Sequence, residues 1–241
     1  MIPAKYTYLF INALTIVFPL VLSFDKRVQF YKKWRFLWPG MLITGLIFLG
    51  WDMLFVVEGV WRFNDKYTIG LDINNLPLEE ILFFLTVPFS CVFIYACLNY
   101  YIKWQLPELS PKPFTGGLIL LSLGIVILCF NRVYTLATFG FLMPLLLYIQ
   151  YIRSVTWMGK FYRAYIVCLL PFFLVNGLLT SIPVVEYNDH RNLGVRLWTI
   201  PLEDMFYMMS LLLLNIGFYE HFSKRAARLA AEQELAAAAH E

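Results

Sequence analysis

The chain has 241 residues, of which 60% are hydrophobic and 18% aromatic, while only 15% carry a formal charge. That is far more apolar surface than an ordinary soluble domain can bury, so the composition excludes a soluble enzyme and indicates an integral membrane protein. The net charge of +3 decides little, because the distribution of Lys and Arg among loops matters more than their sum, and no nucleic-acid footprint is present.

Apolar stretches of spanning length run over about residues 3–23, 36–57, 81–101, 114–130, 133–152, 164–185 and 205–222, which predicts seven transmembrane helices and an all-α membrane fold. The first stretch has Lys5 as its only early charge and no small-residue cleavage site, so it reads as helix one rather than as a cleaved signal. Residues 114–152 are too many for one crossing, and a tight turn at Asn131-Arg132 divides them. From Ser223 onward an Arg, Ala and Glu stretch reads as a polar tail, helical or frayed.

Cys91, Cys97, Cys129 and Cys168 fall inside spans without CxxC spacing, so they read as packing residues. His190, His221 and His240 stand apart from Cys or His partners, which argues against a metal site. Counting Lys and Arg on alternate sides gives 13 on one side, among them Lys103, and six on the other. The positive-inside rule then predicts an inner-membrane, multi-pass protein with its amino terminus outside and its carboxyl terminus in the cytoplasm.

Pro77-Leu78-Glu79-Glu80 recurs as Pro201-Leu202-Glu203-Asp204, each time at the mouth of a long apolar segment. Paired carboxylates entering a hydrocarbon-thick helix are costly, because low dielectric disfavours the ionised form, and groups kept at that cost handle protons, ions or a charged intermediate. The plainer alternative is that acids after a helix-starting Pro merely suit the helix dipole.

The recurrence extends beyond the acids. The offset from Pro77 to Pro201 is 124, and the same offset pairs Phe63 with Tyr187, Asn64 with Asn188, Asp65 with Asp189 and Gly70 with Gly194. An offset of 128 pairs Tyr6 with Tyr134, Thr7 with Thr135, Lys32 with Lys160 and Arg35 with Arg163. Helices one to three therefore match five to seven, and helix four is a connector whose single crossing gives the two repeats parallel topology. The expected division is a first repeat over 1–105, a connector over 106–131, a second repeat over 132–222 and a tail over 223–241. Both acidic motifs then lie on one membrane face, the outer one by the charge count.

Adjacent helical residues point about 100° apart, so the two acids of a motif cannot both aim at one small site. Glu79 and Glu203, identical in both copies, are the pair expected to face inward, with Glu80 and Asp204 orienting them. One turn further in, Phe83 and Phe84, or Phe206 and Tyr207, present ring faces to a cation or simply pack among other aromatics. Asp52 lies inside the second span and its counterpart is Asn176, an intramembrane polar position filled in both halves, for a site role or an interhelical hydrogen bond. Glu58 has no acidic counterpart, Trp61 reads as an interface anchor, and Asn64, Asn188, Gly70 and Gly194 read mostly as loop architecture.

Lys5-Tyr6-Thr7-Tyr8-Leu9, Trp51-Asp52 and above all PLEEILFF at 77–84 with PLEDMFYM at 201–208 resemble the membrane lycopene cyclases built from two small homologous domains, over about residues 3–222. The resemblance implies the fused form and redox-neutral cyclisation of a linear ψ end group of lycopene to a β ring, an intramolecular lyase or isomerase reaction of carotenoid synthesis. It implies a site built on Pro77, Glu79, Glu80, Pro201, Glu203 and Asp204, with Asp204 departing from the Glu at position 80. The substrate it implies is lycopene or another linear carotenoid arriving from the bilayer, with membrane lipid and other enzymes of the pathway as surroundings. The dinucleotide fingerprint of the flavin-dependent cyclases is missing, so no cofactor is expected. Two alternatives stay open: a carotenoid hydratase that traps the same cation with water, and a proton-coupled transporter, for which parallel repeats and membrane carboxylates would also be expected. A retinal photoreceptor is disfavoured because residues 205–222 hold no Lys.

Overall fold

In hydrocarbon a backbone can satisfy its own N–H and C=O groups only within a helix or a closed barrel, so long apolar runs fold as helices. A computed structural model describes residues 3–102 and 110–238 and bears this out. Lys103, His240 and the expected boundary at 105/106 lie outside the described residues. The helices are α1 (Thr7–Leu22), α2 (Trp34–Val57), α3 (Leu78–Tyr101), α4 (Pro111–Leu128), α5 (Val133–Leu147), α6 (Met158–Ser181) and α7 (Leu202–Ala238). The first six, with their short flanking turns, are long and apolar enough to cross a membrane. α7 joins the core with its first part, but Asn215, Glu220 and His221 dilute its apolar run.

Two boundaries differ from expectation for physical reasons. α6 starts at Met158 and stops at Ser181, because Val185–Tyr187 forms a strand, β4, that pairs antiparallel with β1 (Trp61–Phe63). The polar tail continues α7 without a break through Ala238, as expected of a run rich in Ala, Glu and Arg, and Arg228 pairs with Glu232 one turn on at 2.7 Å. The turn at 129–132 does divide α4 from α5.

Before each acid-bearing helix lies a two-residue hairpin, β2 (Asp72–Ile73) with β3 (Leu76–Pro77), and β5 (Arg196–Leu197) with β6 (Ile200–Pro201). The starts of α2, β1, β2, β3 and α3 each precede those of α6, β4, β5, β6 and α7 by 124 residues, whereas α5 starts 126 after α1. The strand pair has the same relation: Arg62 faces Glu186, its own counterpart, and they form an ion pair at 2.5 Å. Asn64 N–H donates to Val184 O at 3.0 Å and Asn188 N–H to Val60 O at 2.8 Å, a reciprocal pair of bonds.

α1 packs on α3 and α5 on α7, while α2 lies against α7 and α6 against α3. The halves thus clasp each other across the α3–α7 centre. One core cluster around Phe30, Phe89, Phe161 and Leu213 fills one end of this bundle, and a second around Tyr8, Phe55, Trp61 and Tyr134 fills the other. The starts of α1, α3, α5 and α7 and the ends of α2 and α6 meet at the second end, so the polar residues they carry converge there.

Candidate active site

Each acidic motif starts its helix in the same way. Pro77 ends β3 in extended conformation (φ −65°, ψ 148°) and hands the chain to α3, whose first turn carries Glu79 and Glu80; β6 and Pro201 deliver Glu203 and Asp204 to α7 likewise. All four acids are buried. Because neighbours on a helix diverge by about 100°, the two members of each motif face different partners.

Glu79 and Glu203 turn back onto the loops. Glu79 Oε1 accepts from the Ile69 N–H at 2.7 Å, and Glu203 Oε1 from the Leu193 N–H at 2.7 Å and the Thr135 hydroxyl at 2.5 Å. Gly70 and Gly194, with φ of 78° and 72°, follow the two donating residues and supply the left-handed turn that aims those N–H groups inward. Asn12 adds a bond from its amide to Glu79 O at 2.9 Å. The expected inward pair is therefore corrected: these identical residues clamp loops, and identity reflects the shared loop geometry.

Glu80 and Asp204 are the acids that meet. Both line one cavity of about 70 Å³ together with Tyr8, Asp52, Trp61, Phe83, Phe84, Tyr134, Asn176, Tyr187 and Tyr207. Asp204 accepts three hydrogen bonds, from Tyr134 Oη at 2.6 Å, Tyr187 Oη at 2.8 Å and Asn176 Nδ2 at 3.1 Å. Tyr187 sits on β4 outside the spans; its burial, and then the Asp204 carboxylate beside it, push its phenol well above the usual range, so it remains a donor.

Glu80 accepts from Tyr8 Oη. At the places that Tyr187 and Asn176 occupy in the second half, the first half has Phe63, which offers no donor, and Asp52, a second carboxyl. Asp52 Oδ2 is buried without a hydrogen-bond partner, as is the Tyr207 hydroxyl. One half thus surrounds its acid with three donors, and the other gives Glu80 the Tyr8 hydroxyl and sets a second carboxyl, Asp52, in the same cavity.

A scan of protein families matches residues 5–98 and 131–222 to the lycopene cyclase family. The chain belongs to that family. Among curated proteins, a bifunctional lycopene cyclase/phytoene synthase of Aspergillus oryzae is 22% identical over 174 residues, which cover 69% of this chain and 26% of the fungal protein. The chain therefore spans about a quarter of that relative's length. No solved structure matches.

The two matched segments of the lycopene cyclase family carry all the cavity acids, Asp52 and Glu80 in one and Asp204 in the other. Phe83, Phe84, Tyr207 and Asn176 line the cavity with them, but Phe206 does not, because its ring packs on Phe139 at 4.7 Å; Phe83 is the structural counterpart of Tyr207, and Leu82 of Phe206. Asn64 and Asn188 cap loops, accepting from the N–H of Lys66 and of His190 at 3.1 Å each. Pro77 and Pro201 are buried at the helix starts.

Tyr8, Tyr134 and Tyr187 escaped the sequence reading as site residues. The repeat alignment paired Tyr6 with Tyr134 at offset 128; the structure sets Tyr8 against Tyr134 at 126, since these two contact the equivalent acids. Trp61, read as an interface anchor, instead lines the cavity and meets the Tyr134 ring edge-on at 5.1 Å. Among the described residues no cluster of three His, Cys, Asp or Glu side chains is arranged to hold a metal ion.

Proposed function

We propose that this chain cyclises the linear ψ end group of lycopene to a β ring by acid–base chemistry with no net redox change. The observation that carries this reading is the convergence of Glu80 and Asp204, from separate halves, in one aromatic-lined cavity with unlike hydrogen-bond surroundings. A carboxyl O–H adds its proton to the terminal alkene, whose π electrons form the new C–H bond. The tertiary cation is attacked by the neighbouring double bond, closing the ring, and a carboxylate takes a proton from the adjacent carbon to leave the ring alkene. One proton enters and one leaves, so the product is an isomer of the substrate.

Roles follow from the partners. An ionised carboxylate only accepts hydrogen bonds, and Asp204, ringed by three donors, suits the anion that faces the cation and removes the final proton. Glu80 and Asp52, two carboxyls in one cavity with Tyr8 donating to Glu80, suit sharing the proton that is delivered. Phe83, Phe84, Trp61 and Tyr207 give the cation aromatic faces, while Glu79 and Glu203 act as positioning residues. The two matched segments act as parallel repeats joined by α4, with the amino terminus and the site on the outer face, and one substrate end is treated at a time.

The test is expression in a lycopene-accumulating bacterial host, beside Glu80→Gln and Asp204→Asn variants, with extracted pigments separated by chromatography. Cyclic carotenoid from the parent that disappears with a membrane-inserted variant supports the proposal. Unchanged lycopene from well-inserted parent overturns it, and a hydroxylated product moves the assignment to a hydratase.

A further inference from the structure

The carboxylate cavity is too small for a long polyene, so the remainder of such a molecule has to leave it somewhere. Among the described residues, an apolar groove continues the cavity. About 280 Å³ in volume, it runs between α1, α3 and α6 and shares Phe83, Val87, Phe172, Asn176 and Met208 with the cavity lining. Its floor is made by Cys91 and Cys168, and its rim by Phe18 and Leu174, which are 68% and 65% exposed on a surface that faces lipid.

On the opposite side of the bundle, between α5 and α2, aromatic rings fill the equivalent place. The residue equivalent to Thr15 of the groove is Phe141, and the equivalent of Val175 is Trp51. Those two rings meet edge to face at 4.6 Å, and Phe48 bridges them to Tyr207 with centroids 5.3 Å from Trp51 and 4.9 Å from Tyr207. Aromatic packing of this kind fills a gap with rigid volume and holds it shut. The two halves therefore offer one open portal and one plugged one.

We infer that the α1–α6 groove is the binding site for the linear polyene tail and the lateral portal to the acids, the α2–α5 side being closed by Trp51 and Phe141. This rests on the proposed cyclase activity, and it commits the groove to a linear, methyl-bearing polyene whose end reaches Glu80 and Asp204. A polyene held this way presents one end only, so a second ring requires release and return in the reverse sense.

The experiment transplants the plug. Thr15→Phe with Val175→Trp places the closing pair in the open groove, and Leu170→Trp, on the same helix but 80% exposed and outside the groove, is the control. In a lycopene-accumulating host the double variant is expected to make at least tenfold less cyclic product than the parent, and the control the same amount. A second readout is binding alone: Glu80→Gln protein purified in mild detergent is expected to retain lycopene, read by its visible absorbance per protein, and the plug on that background to lower it at least fivefold. Leu14→Trp, at the lipid-facing rim, gives the same two readouts should the double variant insert poorly. Parental product and parental lycopene retention in a fully inserted plugged variant would overturn the portal. Lycopene retention unchanged by the plug, with lipid extracted from the groove instead, would assign it to an acyl chain and overturn it equally. A parent that makes no ring is a different failure, that of the cyclase reading itself.

Discussion

Asp204→Asn is the sharpest perturbation of the site, because it removes the charge proposed for this group and leaves the shape. A carboxylate about 5 Å from a developing cation, at an effective dielectric of about 20, contributes ~3 kcal/mol to the transition state. At 1.36 kcal/mol per factor of ten, that is a little over two orders of magnitude in rate, with a further 10- to 100-fold loss expected if the same group also takes the final proton. The fold cost is smaller. Asparagine keeps one carbonyl oxygen for Tyr134, but its amide then confronts Tyr187 and Asn176, which both donate to Oδ2. Leaving one such buried donor unpaired costs about 1–3 kcal/mol of stability, which a flip of Asn176 can reduce. The assay is lycopene turnover in liposomes by chromatography at matched protein, with thermal unfolding in parallel. Tyr187→Phe, which removes one of three donors and copies Phe63 of the first half, is expected to lower kcat only about 3- to 10-fold. Asp204→Asn retaining more than a tenth of the parental kcat would refute the argument that an anion at this place stabilises the cation.

Glu79→Ala and Glu203→Ala are expected to act on stability before chemistry, since each carboxylate holds a loop N–H; loss of such a charged bond is worth about 1.5–3 kcal/mol and lowers the melting temperature by several degrees. An unchanged melting temperature with abolished turnover would instead return these acids to the reaction. Asp189 is held below the ordinary carboxylate range by the Arg196 guanidinium at 2.6 Å. A depressed folded-state value means its contribution is present above the unfolded value of about 4 and lost as pH falls through the folded one. The parent is therefore expected to melt above Asp189→Asn at pH 6, and the gap to close as pH falls below about 4.

The acids, Asp52 and Asn176 were legible because each carries a cost in hydrocarbon that nothing local repays, and the twin motif placed them on one end of the bundle. Which acid of each motif faces the cavity was not legible. Helix geometry says only that neighbours diverge, and the choice is made by the N–H groups of Ile69 and Leu193, in loops whose left-handed turns depend on Gly70 and Gly194. Tyr8 was missed for a similar reason: Tyr6 and Tyr8 differ by two residues, and the shorter loops of the second half shift α5 relative to α1 by that amount. Tyr187 reaches Asp204 only because β4 pairs with β1 from the other half, a three-residue contact with no periodicity to announce it.

The asymmetry between the two halves can be tested by erasing it. If the halves were equivalent, a proton shared between the two acids would rest on either one equally, and nothing would assign donor and acceptor. The residues that donate to the two acids differ at two positions: Phe63 for Tyr187, and Asp52 for Asn176. Phe63→Tyr with Asp52→Asn rebuilds around Glu80 the donor set that surrounds Asp204, without touching either acid. Each new donor favours the charged form of Glu80, and removal of Asp52 takes away the neighbour proposed to share its proton. The expected outcome is a protein that inserts and melts as the parent does, holds lycopene, and turns over at least tenfold more slowly, with partial recovery as pH is lowered. Full activity in this double variant would mean that the unlike surroundings of the two acids are incidental, and the assignment of donor and acceptor between Glu80 and Asp204 would fall with it.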